Sequence, residues 1–219
     1  MATLQFILDV FLHLDKHLQA FMGQYGLFAY VALFLVIFCE TGLVVTPFLP
    51  GDSLIFAAGA LAATGIMGKW TVLMLIAAAI LGNVVNYEIG RHLSERIQRR
   101  EKVRFIKQEY LDRTHRFFEK YGGLTIIITR FVPIVRTFAP FVAGVGKMPY
   151  RRFLSFNAVG GISWACLFFF GGYFFGNLPA VKNHFSFVVL GIIAISLVPA
   201  VVAFFKARMS PPSDTGAKE

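Results

Sequence analysis

Cysteine is nearly absent: only Cys39 and Cys166 occur in 219 residues. They fall in separate apolar segments and read as small core hydrophobes, which argues against a disulfide framework. No set of His, Cys and acids has metal-ligand spacing, and the chain lacks GxSxG, P-loop and HExxH motifs. Neither an enzyme, a metal centre nor a cofactor is expected. Acids are scarce too, 12 against 21 Lys and Arg, for a net charge of +9. Such a charge raises nucleic acid as a partner, but its distribution argues otherwise. Ten of the 21 basic residues lie between Arg91 and Lys120, with five acids interleaved. That is the pattern of a short cytoplasmic loop lying against anionic headgroups, and nucleic-acid binding is not expected. A secretory signal is not expected over the opening residues either. Residues 1–26 hold Asp9, His13, Asp15, Lys16 and His17, and their alternation of apolar and polar residues predicts an interfacial amphipathic helix.

What the chain has in plenty is apolar surface. Hydrophobic residues make up 57% and the mean hydropathy is +0.66, more than a soluble interior of this size can hide, so lipid is the expected solvent. Five apolar regions follow one another: 27–66, 70–90, 122–146, 153–176 and 186–205. A helix needs about 20 apolar residues to cross a bilayer, and 70–90, 153–176 and 186–205 meet that length. The other two are interrupted, 27–66 at Pro47, Pro50 and Gly51, and 122–146 by Arg130, Pro133, Arg136 and Pro140. For 122–146 the pieces are too short to cross, which predicts a re-entrant hairpin whose irregular backbone is shielded by protein or lines a wet cavity. Residues 27–66 fit either a deep hairpin or two tilted spans.

With loop 91–121 cytoplasmic, the N-terminus and Lys69 face outward. Lys147, Arg151, Arg152, Lys206 and Arg208 then face inward. The first interrupted region opens from outside and the second from inside, the layout of inverted repeats with discontinuous helices. The expectation is an all-α polytopic membrane protein: an amphipathic helix over 1–26, one transmembrane domain over 27–205 and a disordered cytoplasmic tail over 206–219.

Four charges lie in or beside the interruptions: Glu40 and Asp52 in the first, Arg130 and Arg136 in the second. At bilayer depth they would cost roughly 10–14 kcal/mol together unless paired or hydrated. An acid–arginine pair that holds the hairpins together is one reading; a transport pathway is the other. Burial and a neighbouring cation pull a carboxylate's proton affinity in opposite directions, an environment suited to proton coupling. Arginine offers a planar donor fork that matches phosphate oxygens, so RFVPIVR (130–136) reads as an anion clamp. Asn83 and Asn86 are pathway residues or interhelical hydrogen-bond partners. Asn157, Ser163 and Trp164 read as packing or interface residues, and Glu88 with Arg91 as a surface pair.

The stretches FCETGLVVTPFLPGDSLIFAAGALA, GNVVNYEIGR and RFVPIVRTFAPFVAGVGKMPYRRFLSFNAVGGISWA resemble the DedA family of bacterial inner-membrane proteins. The likeness runs over residues 10–205 and lies nearest the founding branch, and the family is similar to eukaryotic lipid scramblases. The resemblance implies a lipid transporter that returns undecaprenyl phosphate or another phospholipid across the inner membrane with the proton-motive force. It places the family's functional acids at Glu40 and Asp52 and its functional arginines at Arg130 and Arg136. The position of Asn83 is usually Asp in the family's GDxxxYxxGR pattern, a departure that removes one carboxylate here.

These lines converge on a flippase whose partners are protons and membrane lipids with an anionic phosphate headgroup. Arg130 and Arg136 would hold the phosphate, and Glu40 and Asp52 would couple protons. A proton-coupled antiporter of small cations or drugs, or a non-transporting envelope assembly factor, are the alternatives. The sequence leaves the oligomeric state open, a homo-oligomer included.

Overall fold

The computed structural model describes residues 14–43, 51–98, 123–182, 184, 185, 187, 188 and 190–192. Every element among them is helical: α1 Leu14–Tyr25, α2 Leu27–Gly42, α3 Gly51–Ala63, α4 Thr71–Gln98, α5 Leu124–Thr129, α6 Pro133–Val145, α7 Tyr150–Phe175 and α8 Pro179–Lys182. Pro47 and Pro50, the basic stretch 99–122, residues 1–13, 193–205 and the tail 206–219 lie outside the described residues.

Of the helix expected over 1–26 only residues from 14 on are described; in α1, Leu18 and Met22, one turn apart, enter the core. Gly26, at φ 50°, turns the chain from α1 into α2. The first interrupted region forms α2 and α3, of 16 and 13 residues, about 24 and 20 Å long and each short of a 30 Å hydrocarbon core. α3 ends in a hydrogen-bonded cap, with Gly65 N–H on Ala62 O and Ile66 N–H on Leu61 O. Gly65 holds the left-handed conformation (φ 79°) that this motif needs.

Two expectations change. The span over 70–90 continues as helix through Gln98, 28 residues in all, about 42 Å. Nothing in 91–98 breaks it, and Arg91 pairs with Glu88 and Glu95 along its surface. Pro140 does not break the second interrupted region. The break is at Arg130–Val132, Pro133 sits in the first turn of α6, where its missing N–H is harmless, and Pro140 lies inside that helix. A proline there removes the hydrogen bond to the Arg136 carbonyl without ending the helix, because α6 is held along its length by α4.

α4 and α7 run antiparallel as the two long helices. α3 packs along α7, and α6 and α2 pack along α4. Two crossings are built alike. A Cβ on Gly59 would strike the Phe169 carbonyl, and one on Gly172 the Phe56 carbonyl; likewise Gly90 meets the Phe141 carbonyl and Gly144 the Tyr87 carbonyl. In each case an aromatic-x-x-Gly step on one helix faces the same step on the other, and backbones touch where the side chain is missing.

One end of the assembly carries Lys69 over the Tyr173 ring and Trp70 stacked on Tyr30. The other carries Arg91, Lys147, Arg151 and Arg152. From Thr71 to Arg91, α4 rises about 30 Å, the thickness of a hydrocarbon core. Between these ends the outer faces expose Leu73, Leu81, Val85, Ile89, Val159 and Leu167, a surface that lipid covers at no cost and water does not.

Candidate functional site

The last turn of α2 buries Glu40, Thr41 and Gly42, and the first turn of α3 buries Gly51, Asp52 and Ser53. Gly51 is a matter of space: a Cβ there would occupy the position of the Glu40 carboxylate. The carbonyl of Thr41, one of those an α-helix leaves unpaired at its C-terminus, accepts from Asn86 Nδ2 at 3.2 Å, which also donates to Thr137 O at 2.7 Å. Asn86 is therefore an interhelical tie between α2, α4 and α6, one of its two expected roles.

Arg136 comes from the first turn of α6 and reaches both acids. Its Nη1 donates to Asp52 Oδ1 at 2.5 Å and its Nη2 to Glu40 Oε1. Trp164 Nε1 donates to the same Asp52 oxygen at 2.9 Å. All four side chains are buried, Glu40 completely. A cation bonded to two carboxylates, with an indole N–H on one of them, is how charges persist at this depth.

Arg130, in the break before α6, has no carboxylate partner among the described residues. Its Nη1 donates to Asn157 Oδ1 at 2.8 Å. With the Asn83 amide oxygen also on Arg130 Nη1 (2.6 Å), the Asn83 nitrogen reaches Thr41 O at 3.2 Å, and each amide group meets a suitable partner. Nε and Nη2 of Arg130 are buried without a hydrogen bond. Gly160 and Gly161 of α7 give the guanidinium room to lie against that helix. Both guanidinium carbons stand over the Trp164 ring, 5.4 Å for Arg130 and 5.1 Å for Arg136, near enough for cation–π attraction.

Thr41, Asn83, Arg130, Arg136 and Trp164 line a cavity of about 10 Å³, room for one water at most. The cluster lies about 18 Å along α4 at Asn83 and about 21 Å along α7 at Trp164, far from either end.

The four expected charges thus meet, joined by Asn83. Asn157 and Trp164, read from sequence as packing or interface residues, belong to the cluster as well. Their signal was depth: a tryptophan and an asparagine well inside a span lie away from the interfaces where Trp concentrates. Ser163 instead bonds back to Val159 O on an exposed face. Pro47 and Pro50 cannot be assigned a place, since they fall outside the described residues.

A family model for the VTT domain matches residues 49–174, from just before Asp52 to beyond Trp164. Protein DedA of Escherichia coli (strain K12) is 48% identical over 211 residues, covering 95% of this chain and 96% of that protein. This chain belongs to the DedA family. Other relatives are inner membrane protein YghB of the same organism, 37% identical over 174 residues (78% of this chain, 80% of that protein), and an uncharacterized membrane protein, Rv0364, of Mycobacterium tuberculosis (strain ATCC 25618 / H37Rv), 40% identical over 200 residues (87% and 86%). No solved structure matches the chain. It is a DedA-family membrane protein with apolar outer faces, and the four charges Glu40, Asp52, Arg130 and Arg136 are buried between its helices. The VTT match takes in Asp52, Asn83, Arg130, Arg136 and Trp164 but stops short of Glu40.

Proposed function

We propose that the protein moves a phosphate-bearing lipid, undecaprenyl phosphate or a phospholipid, between the leaflets of the bacterial inner membrane, coupled to protons and without a chemical step. The observation that carries this reading is the unequal pairing of the two arginines. Arg136 already holds Glu40 and Asp52, whereas Arg130 keeps two buried donors unfilled beside the cavity. A phosphate would meet Arg130 first. Protonation of Glu40 and Asp52 would release Arg136 to close its fork on the same phosphate, and loss of those protons would draw Arg136 back and expel the anion. Anion and protons would then travel together. A cation or drug as cargo would instead have to displace Arg136 from both acids, which favours the phosphate reading.

The cavity is far smaller than a phosphate, so transport requires helices to part. Packing suggests where. α2 and α6 are held to α4, and α3 and α5 to α7, while the two like-built glycine crossings fall within these groups. Glu40, Arg136 and Asn83 ride on the first group; Asp52, Arg130, Asn157 and Trp164 ride on the second. Rocking of one group against the other would break the Arg136–Asp52 bond and keep the Arg136–Glu40 bond. The paired interruptions and matched crossings support an inverted-repeat origin with two re-entrant hairpins. The lipid tails would stay in the bilayer while the headgroup passes. The inner membrane protein YghB among the relatives supports the inner membrane, and the Lys/Arg distribution supports a periplasmic N-terminus with 91–121 and the C-terminus cytoplasmic.

Purified protein in liposomes tests this directly, with labelled undecaprenyl phosphate compared with phospholipids, with and without a pH gradient. Gradient-dependent movement of one of them is expected. Arg136→Lys keeps the charge but not the fork, and it should slow transport about tenfold or more. Wild-type protein that moves neither lipid would overturn the reading, and a lysine variant at full rate would overturn the fork.

A further inference from the structure

A second charged site lies outside the buried cluster. At the end of α4 remote from Lys69, a cleft of about 330 Å³ opens between that helix and the α6–α7 turn. Arg91 and Glu95 line one side, Lys147 and Tyr150 the other, with Tyr87 between them. We propose that this cleft binds a phosphate group, as an anionic lipid headgroup or as free phosphate.

Several observations lead there. Arg91, on α4, and Lys147, in the α6–α7 turn, converge on one volume that easily contains a phosphate. Among the described residues Arg91 pairs with neighbours on its own helix, Glu95 at 3.3 Å and Glu88 at 3.8 Å, and all three side chains are substantially exposed. Such surface pairs contribute little and exchange readily for a better anion. A phosphate offers the guanidinium two oxygens at once and leaves a third for the ammonium. Tyr87 does not compete, because its hydroxyl donates to Met148 O. Tyr150 is partly exposed at the level where amphipathic rings meet headgroups.

Lys147 sits where glycine would be easier. Its N–H bonds to Gly144 O and that of Met148 to Ala143 O, a helix-ending motif that puts residue 147 in the left-handed region, at φ 54°. Lysine there carries a conformational cost that glycine would not. That contrast gives a variant whose stability and binding should move in opposite directions.

The cleft is separate from the buried cluster. Asn83, Tyr87 and Arg91 follow at i, i+4 and i+8 on one face of α4, so Arg91 stands about 12 Å along the axis from Asn83. Tyr87, stacked on Phe153 with ring centroids 4.3 Å apart, lies between them. As a first stop for a transported headgroup the cleft rests on the function proposed above; as a phosphate site it stands without it.

The test uses the full chain in detergent. Inorganic phosphate is titrated by 31P NMR, and phosphatidylglycerol is compared with phosphatidylcholine by native mass spectrometry. Wild type should bind phosphate or retain phosphatidylglycerol over phosphatidylcholine, and which probe succeeds identifies the source. Arg91→Gln and Lys147→Gly should each weaken that binding about tenfold, with Lys147→Gly melting at or above the wild-type temperature. Glu95→Gln should tighten it by removing an acid that lines the cleft. Lys182→Gln, which removes an exposed cation of α8 outside both sites, should leave it unchanged. Absence of binding to both probes, unchanged affinity in the two cleft variants, or an equal loss in Lys182→Gln would each overturn the site. Binding that follows the cleft residues in a protein that moves no lipid would sink the transport reading alone.

Discussion

Arg136 Nη1 donates to Asp52 Oδ1 at 2.5 Å, a bond that joins α6 to α3 across the seam between the two helix groups. The same guanidinium holds Glu40 on its own side. One arginine therefore bridges the two carboxylates and ties α6 to both α2 and α3.

Removing either acid alone leaves Arg136 a carboxylate, whereas removing both leaves two buried guanidinium groups with none. Glu40→Gln and Asp52→Asn should each lower stability by about 1–3 kcal/mol, and the double variant by more than their sum. Thermal melting in detergent measures this, and small additive losses would show that the pairs hold nothing together. Both single amides should also flatten the dependence of transport on pH. An amide with normal pH-dependent transport would remove that acid from the mechanism.

Trp164 offers two separable contacts, a ring under both guanidinium groups and an N–H on Asp52. Trp164→Phe keeps the ring and loses the donor; Trp164→Leu loses both. Stability and transport should fall in the order Trp, Phe, Leu, with about 0.5–2 kcal/mol at each step. A leucine variant that equals the phenylalanine variant would leave the cation–π contacts without a role.

The glycine crossings predict a positional contrast. Gly59→Ala and Gly90→Ala drive a methyl into the Phe169 and Phe141 carbonyls, and each should cost about 1–3 kcal/mol by forcing the helices apart. Gly23→Ala meets nothing within 4 Å inside α1, and it should be neutral or slightly stabilising. Melting temperatures of the three variants decide it; equal effects would mean that the crossings are looser than described.

Sidedness is testable with single cysteines in a background free of Cys39 and Cys166. An impermeant thiol reagent applied to intact cells should label position 182 and spare position 100, as the Lys/Arg distribution requires. The reverse pattern would invert the orientation.

Composition and local pattern determined the class of this protein. Long apolar segments call for lipid, and charged residues and prolines inside them mark the interruptions, because hydropathy and helix propensity act over a few residues at a time. The four charges could be singled out for the same reason: isolated in an oily run, each demands a partner. Which partner each takes was decided only by tertiary structure. Arg136 reaches Glu40 and Asp52 across 96 and 84 residues, and Arg130 receives amides instead of a carboxylate, through crossings whose register no local pattern encodes. Pro140 shows the same division. Its local preference reads as a break, yet packing along α4 keeps the helix whole. Trp164 and Asn157 gain their place from helices that arrive from elsewhere in the chain. Partner choice depends on where helices cross, and that is a property of the folded whole.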